Sequence, residues 1–279
     1  MVAARARFMT LVNAILTVAV TAGVLYAGAM AWLWLGQEKL LFAPSTLAAQ
    51  VPLAMAPDVH ELAVDVPGAQ LSALHLRLPD PKGVVFFLHG NGGSLQTWFV
   101  NPEYYRRANF DLFMIDYRGY GKSSGRIQSE DQLRADVRAA FATIATRYAD
   151  RKVVVYGRSL GSGLAAGLSA ELQASRPPDL TVLVSPYRSM VALATEHYRW
   201  VPQQLLRYPL RTDAIVARIR SPLLFIHGAL DPLIAPSHSR SLLALAPHGS
   251  LAIIERAAHN DLQEFDDYLN VFARALAAL

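Results

Sequence analysis

The chain has 279 residues, 53% of them hydrophobic and 17% charged, with no cysteine and a formal net charge of +4. That length holds one large domain or two small ones, and so high an apolar share excludes a disordered chain. The missing cysteines exclude disulfides, thiolate metal sites, cysteine nucleophiles and palmitoylated anchors; beyond residue 40 the balance is 23 basic to 21 acidic residues, which leaves no footprint for nucleic acid.

Residues 8–35 contain no charge across 28 positions, more than the roughly 20 residues that a bilayer-spanning helix needs. The competing reading is a cleavable signal peptide, because Arg5 and Arg7 precede the run and Ala27-Gly28-Ala29 resembles a cleavage site. A signal peptide's apolar region spans only about 7–15 residues, so the segment reads as an uncleaved anchor. Tyr26, Trp32 and Trp34 gather at its far end, where amphipathic rings favour the membrane interface. Arg5 and Arg7 stand before the span, whereas Glu38 and Lys39 after it nearly cancel. The expected topology therefore has a cytoplasmic N-terminus and a periplasmic or otherwise extracytoplasmic domain.

Residues 1–40 thus form the tip and anchor. Residues 41–57, rich in Ala and Pro, read as a juxtamembrane linker, and residues 58–279 as the globular domain. Alternating segments at 60–66 and 71–78 flank Pro67-Gly68 and predict a β-hairpin. Short apolar runs at 84–88, 112–115, 153–156, 180–184, 223–226 and 251–254 are bounded by turn residues, as buried parallel strands are. Helical patterns lie between most of them. In residues 129–148, Ser129 is a candidate N-cap and Leu133, Val137, Phe141 and Ile144 share a face; residues 161–174 and 261–279 are also helical in pattern. Alternating strands and helices imply an α/β fold with a mostly parallel sheet.

Residues 186–212 break this rhythm with three prolines and the aromatics Tyr187, Tyr198, Trp200 and Tyr208. A connection of that length is often functional. It is large enough for a short lid, which makes Tyr187, Tyr198 and Trp200 candidate substrate contacts; an ordinary packed surface excursion is the alternative.

Gly157-Arg158-Ser159-Leu160-Gly161 follows a strand-like segment and opens a helix-like one. In that setting the glycines permit a tight turn that lifts a nucleophilic serine above the sheet. A serine hydroxyl needs a base and the base an orienting carboxylate, in the chain order Ser, acid, His for this type of turn. His259, just after the last strand, is the candidate base. His60 and His75 lie in the hairpin and His238 and His248 in or beside a surface-type helix, positions that suit structural roles. Asp231, in the loop after the strand at 223–226, is the candidate acid; Asp261 is its rival, but sequence neighbours seldom face each other squarely. His89-Gly90-Asn91-Gly92-Gly93 supplies the candidate oxyanion hole, with the N–H of Asn91 paired to that of Leu160. Gly121-Lys122-Ser123 is no P-loop, since Asp116 stands where that motif requires glycine, and no zincin spacing is present.

These residues resemble the α/β-hydrolase superfamily, in particular its membrane-associated ABHD-type branch, which includes protein depalmitoylases and related bacterial hydrolases. The resemblance rests on Phe87-Leu88-His89-Gly90-Asn91-Gly92-Gly93, on Asp116-Tyr117-Arg118-Gly119-Tyr120-Gly121-Lys122-Ser123-Ser124-Gly125, on Gly157-Arg158-Ser159-Leu160-Gly161, on His227-Gly228-Ala229-Leu230-Asp231 and on His259-Asn260-Asp261. The stretch from Gln37-Glu38 to Phe42-Ala43-Pro44 is similar to the branch's junction of membrane segment and domain. The resemblance implies an α/β-hydrolase fold with helices on both faces of the sheet, a triad of Ser159, Asp231 and His259, and a structural role for the loop from Asp116 to Gly125. Palmitoylated members carry clustered N-terminal cysteines; this chain carries a hydrophobic span instead. The expectation is a serine hydrolase that cleaves carboxylic esters or thioesters without metal or organic cofactor, on a small or lipid-like acyl substrate beside the membrane. A peptidase or amidase of the same fold, and a catalytically silent tethered binding protein, are the alternatives.

Overall fold

The computed structural model describes residues 2–279. Helix α1 (Val2–Leu41) is followed by eight strands: β1 (Val59–Val66), β2 (Ala69–Leu76), β3 (Gly83–Leu88), β4 (Phe110–Ile115), β5 (Lys152–Arg158), β6 (Leu180–Val184), β7 (Leu223–Gly228) and β8 (Gly249–Ile254). They form one sheet in the order β1-β2-β4-β3-β5-β6-β7-β8. Strand β2 pairs antiparallel with β1 and β4, and every later pairing is parallel. The hairpin expected about Pro67-Gly68 is the β1–β2 pair. Every residue of β3, β4, β6 and β7 is buried, which is why these strands read as unbroken apolar runs rather than as alternations.

The helices in chain order are α2 (Leu95–Trp98), α3 (Pro102–Ala108), α4 (Glu130–Ala145), α5 (Leu160–Leu172), α6 (Met190–His197), α7 (Thr212–Ile215), α8 (Ser237–Leu243) and α9 (Asp266–Ala277). Ser129 caps α4 as expected, its hydroxyl accepting the Gln132 N–H at 3.1 Å, and Leu133, Val137, Phe141 and Ile144 are buried beneath. That face of the sheet is covered by α4, α5 and α8; Tyr105 of α3 and Tyr268, Phe272 and Leu276 of α9 cover the other. The helical pattern at 261–279 resolves into a single 3-10 turn (Leu262–Glu264) and then α9, because Asp261 turns its carboxylate back onto the Ala258 N–H at 2.7 Å.

The segment after α1 is bound to the domain. Phe42 is buried against Tyr208, ring centroids 5.1 Å apart, while Pro44 and Thr46 make bridges to Gly93 and Gly121. Within α1, Arg5–Leu41 is long and apolar enough to cross a membrane, and its apolar 18-residue window holds no buried residue. It is a candidate anchor.

Candidate active site

The loops at the carboxyl ends of β3, β5 and β7 and the loop following β8 meet above the sheet. Gly157 and Gly161 are required by close approach: an added Cβ would stand 2.3 Å from the Gly161 carbonyl oxygen and 2.1 Å from the Leu88 carbonyl oxygen respectively. The turn between them holds Ser159 at φ 51° and ψ −120°, a backbone conformation that L-residues rarely adopt. Its N–H donates to the Val184 carbonyl at 2.9 Å, so the parallel neighbour β6 fixes the elbow.

Ser159 Oγ lies 3.0 Å from His259 Nε2, and His259 Nδ1 lies 2.7 Å from Asp231 Oδ2. Since a carboxylate only accepts, Nδ1 carries the proton and the neutral ring offers Nε2 to the serine hydroxyl. Asp231 is fixed on its other oxygen by the N–H groups of Leu233 and Ile234, each at 2.9 Å. Burial opposes ionisation of this carboxyl, but the hydrogen bonds of His227 and His259, together with the Ile234 N–H, hold its pKa well below the usual carboxylate range. His227 Nε2 donates to the Ile234 carbonyl at 2.8 Å while lying 3.4 Å from Asp231. The rival Asp261 is occupied by the Ala258 N–H rather than by His259.

The glycine-rich loop after β3 lies directly on Ser159. A Cβ on Gly90 would come within 3.3 Å of the Ser159 Cβ and 3.0 Å of the Trp98 ring. The N–H of Leu160 opens α5, where helix N–H groups have no partner in their own helix, and Asn91 neighbours Gly90. The loop from Asp116 to Gly125 braces this arrangement from behind. Tyr117 donates its hydroxyl to the His89 carbonyl at 2.8 Å, Tyr120 its own to Asn91 Oδ1 at 3.0 Å, and Asp116 accepts the Leu95 N–H at 2.8 Å. Asn91 Oδ1 also accepts the N–H groups of Ala43 and Gly92, each at 2.9 Å, so its side chain ties the segment after α1 to this loop.

A cavity of about 560 Å³ opens beside Ser159 and His259. Leu40 and Leu41 of α1, Met190, Leu193 and Ala194 of α6, and Leu233 give it apolar walls. Tyr187 and Tyr198 line it as well; Tyr187 is buried, its hydroxyl donating to the Leu160 carbonyl at 3.0 Å. Trp200 is not brought there: it is 55% exposed, and its carbonyl accepts from the Tyr26 hydroxyl of α1 at 3.0 Å. Its side chain stands outside because α6 ends at His197 and the chain turns towards α1. His238, expected in a structural role in a surface-type helix, sits in a structural setting that is buried, with Nδ1 accepting the Arg188 N–H at 3.0 Å and Nε2 reaching Glu196 of α6 at 3.0 Å.

Arg158 was not singled out by the sequence. Its guanidinium donates to the His259 carbonyl at 2.9 Å and to Gln263 at 2.7 Å, and lies over the Trp98 ring, 5.5 Å from its centroid. Together Arg158 and Trp98 separate the pocket from an aromatic cavity of about 360 Å³ lined by Phe87, Tyr104, Tyr156 and Phe272. Its only advance signal was its place inside the serine motif. Among the described residues no group of three or more His, Asp or Glu side chains is arranged to hold a metal ion.

A mostly parallel sheet with a serine at its central elbow and a histidine and carboxylate on later strand-end loops defines an α/β hydrolase. Residues 79–208 match the family model described as "Serine aminopeptidase, S33". Alpha/beta hydrolase domain-containing protein 17B of Xenopus tropicalis is 31% identical over 214 residues, 72% of this chain and 69% of the relative. The Homo sapiens protein of the same name is 30% identical over the same shares. Uncharacterized protein Rv2307c of Mycobacterium tuberculosis is 29% identical over 86% of both chains. Among solved structures, an esterase of Pyrococcus furiosus shares the fold with a TM-score of 0.66 at 17% identity, over 85% of this chain and 97% of its own. The chain belongs to the ABHD-type α/β-hydrolase family, and it is a hydrolase.

Proposed function

We propose that this hydrolase cleaves carboxylic esters or thioesters through Ser159, His259 and Asp231. The observation that carries the reading is the continuous hydrogen-bonded line from Ser159 Oγ through the His259 ring to Asp231, at the wall of an open, apolar pocket. His259 Nε2 takes the Ser159 proton as Oγ attacks the acyl carbon, and the N–H groups of Asn91 and Leu160 stabilise the resulting oxyanion. The proton then passes from His259 to the departing alcohol or thiol, leaving an acyl-serine. A water molecule gives its proton to the same nitrogen and attacks the acyl-serine; His259 passes that proton to Ser159 Oγ as the acyl–Oγ bond breaks, freeing the acid and Ser159. Asp231, held ionised, stabilises the imidazolium in both halves. Tyr187 and Tyr198 are the proposed substrate contacts within the pocket.

The name of the matching family model raises aminopeptidase action as a second reading. Recognition of a free α-amino group calls for a carboxylate in the pocket, and none of the lining residues is Asp or Glu. That favours the ester reading. We further propose that Arg5 and Arg7 keep the N-terminus cytoplasmic and that the domain faces outward.

A fluorophosphonate probe tests the mechanism: wild type should label and Ser159→Ala should not, with loss of p-nitrophenyl ester hydrolysis in parallel. Equal ester turnover by both proteins would sink the proposal, and faster cleavage of amino-acid anilides than of esters would favour the peptidase.

A further inference from the structure

The uncharged run of α1 is longer than a bilayer requires, and the structure divides it. Residues 8–25 are exposed except for half-buried Val12. At about 1.5 Å per residue they span roughly 27 Å, close to the ~30 Å hydrocarbon core. From Tyr26 onward the helix instead packs on the domain. Tyr26, Met30, Leu33, Gln37 and Leu41 fall at spacings of three and four, one helical stripe, with Met30 and Gln37 buried.

This stripe meets the segment that carries α6. Tyr26 donates to the Trp200 carbonyl at 3.0 Å and Gln37 Nε2 to the Leu205 carbonyl at 2.6 Å, while Gln37 Oε1 accepts the Arg207 N–H at 2.9 Å. Glu38 accepts the Tyr208 hydroxyl at 2.8 Å and pairs with Arg207 at 2.7 Å. Helix α6 itself has no fully buried residue, although Met190, Val191, Ala192, Leu193 and Ala194 are all apolar. Met190, Leu193 and Ala194 line the pocket of Ser159, Met190 and Leu193 packing against the core as well, and Leu40 and Leu41 of α1 line the same pocket. At the outer end of that pocket Tyr198 and Leu233 are both lining and more than half exposed, and exposed Trp200 stands beside Tyr26, where the free part of α1 begins.

We propose that the anchor helix is itself a wall of the substrate site. Its domain-proximal half and α6 enclose an apolar groove that opens at Tyr198 and Leu233 onto the bilayer surface. The apolar chain of a membrane-resident acyl ester enters by that mouth, its ester reaching Ser159. Tyr26 marks the hydrocarbon boundary on α1, and a phenol and an indole at one level, Tyr26 and Trp200, suit a membrane interface. No Asp or Glu lines the groove to repel a lipid surface. The proposal rests on the reading of Ser159 as nucleophile.

The test uses the full chain reconstituted in phosphatidylcholine vesicles, with p-nitrophenyl acetate, octanoate and palmitate as substrates. Wild type should favour palmitate over acetate in kcat/KM by roughly tenfold or more, as burial of successive methylenes allows. Ala194→Trp, which fills the groove from α6, should lower that ratio by about tenfold or more. Fluorophosphonate labelling shows that the variant is folded; if it is not labelled, Leu40→Trp narrows the groove from the α1 side and reads the same ratio. An unchanged ratio in a labelled variant, or a wild type that prefers acetate, overturns the groove. The route is read by presenting the palmitoyl ester either within the enzyme's own vesicles or on serum albumin in solution. Faster turnover from the shared bilayer is expected, and equal rates overturn entry from the membrane. Hydrolysis that survives in Ser159→Ala would defeat the nucleophile assignment instead, so the two failures are distinct.

Discussion

Arg158 holds the loop of His259: the residue immediately before Ser159 donates its guanidinium to the His259 carbonyl, 2.9 Å away across 101 positions of sequence. The same guanidinium binds Gln263 and covers Trp98, so one side chain ties the residue next to Ser159 to the loop that carries His259. Arg158→Leu removes a charged hydrogen bond worth about 1.5–3 kcal/mol. We expect kcat to fall roughly 10- to 100-fold with KM little changed. Steady-state kinetics on a short ester, with Arg158→Lys expected to recover part of the loss, check this; a change confined to KM would contradict it.

Asp231→Asn should be more damaging. An amide can still accept the Leu233 and Ile234 N–H groups, but turned that way it offers its NH₂ to His259 Nδ1 and favours the wrong ring tautomer. The expected loss in kcat is roughly 10⁴-fold with little change in thermal stability. Because the wild-type carboxyl is held well below the usual range, activity should show no step from Asp231 near pH 4, where free carboxylates titrate. Kinetics across the acid range test both statements.

The side chain of Asn91 accepts three hydrogen bonds, from Ala43, Gly92 and Tyr120. Asn91→Ala keeps the backbone N–H that we propose for the oxyanion hole but frees the loop bearing it. Ester hydrolysis should drop by on the order of 100-fold, the cost of losing one such donor. Asn91→Asp retains an acceptor in the same place and should recover most of the rate. A drop of equal size in both variants would show that the acceptor is not what matters.

His75 gives stability a pH dependence. Burial, and next the charge of Arg77, lower its pKa from 6.5 to about 3. Its Nε2 proton goes to the Tyr148 hydroxyl, which itself donates to Asp111, and Nδ1 accepts from Arg77 at 3.0 Å. A second proton therefore has no acceptor. The folded state favours the neutral ring, so its contribution is complete above pH 6.5 and is lost as pH falls from 6.5 towards about 3. Denaturant titrations should show stability declining by up to about 1.4 kcal/mol per pH unit from this group. In His75→Gln that part of the slope should vanish.

Gly161→Ala tests the elbow mechanically. The new methyl would lie 2.1 Å from the Leu88 carbonyl oxygen, part of the backbone of a fully buried strand. Neither partner has room to yield, so a destabilisation of about 3 kcal/mol or more is expected, seen as a lowered Tm. An unchanged Tm would mean that the first turn of α5 can shift off β3.

The strands and most helices were legible because their signals are local. Buried strands are continuous apolar runs, α4 shows its stripe and its Ser129 cap, and the serine motif sits between strand and helix. The burial of His238 was not legible, for the converse reason. Its own helix offers only the polar run Ser237-His238-Ser239-Arg240, and what buries it is Arg188 and Glu196, about 50 and 42 positions away. Trp200 was expected in the pocket for its ring alone, yet the Tyr26 hydroxyl engages its backbone across 174 positions.

The sequence by itself determined the alternation of strands and helices and the long apolar segment near the N-terminus, and it offered Ser159, Asp231 and His259 as candidates in that chain order. Each of these is written in residue type and short spacing. Only the tertiary structure decided that the second half of α1 lies against Trp200 and Leu205 and brings Leu40 and Leu41 to the cavity beside Ser159, that Asp231 reaches within 2.7 Å of His259, and that Arg158 spans to the His259 carbonyl. These depend on directions in space. A hydrogen bond forms or fails within a few tenths of an ångström, and such positions follow from how the whole sheet and its helices pack, not from any short stretch of chain.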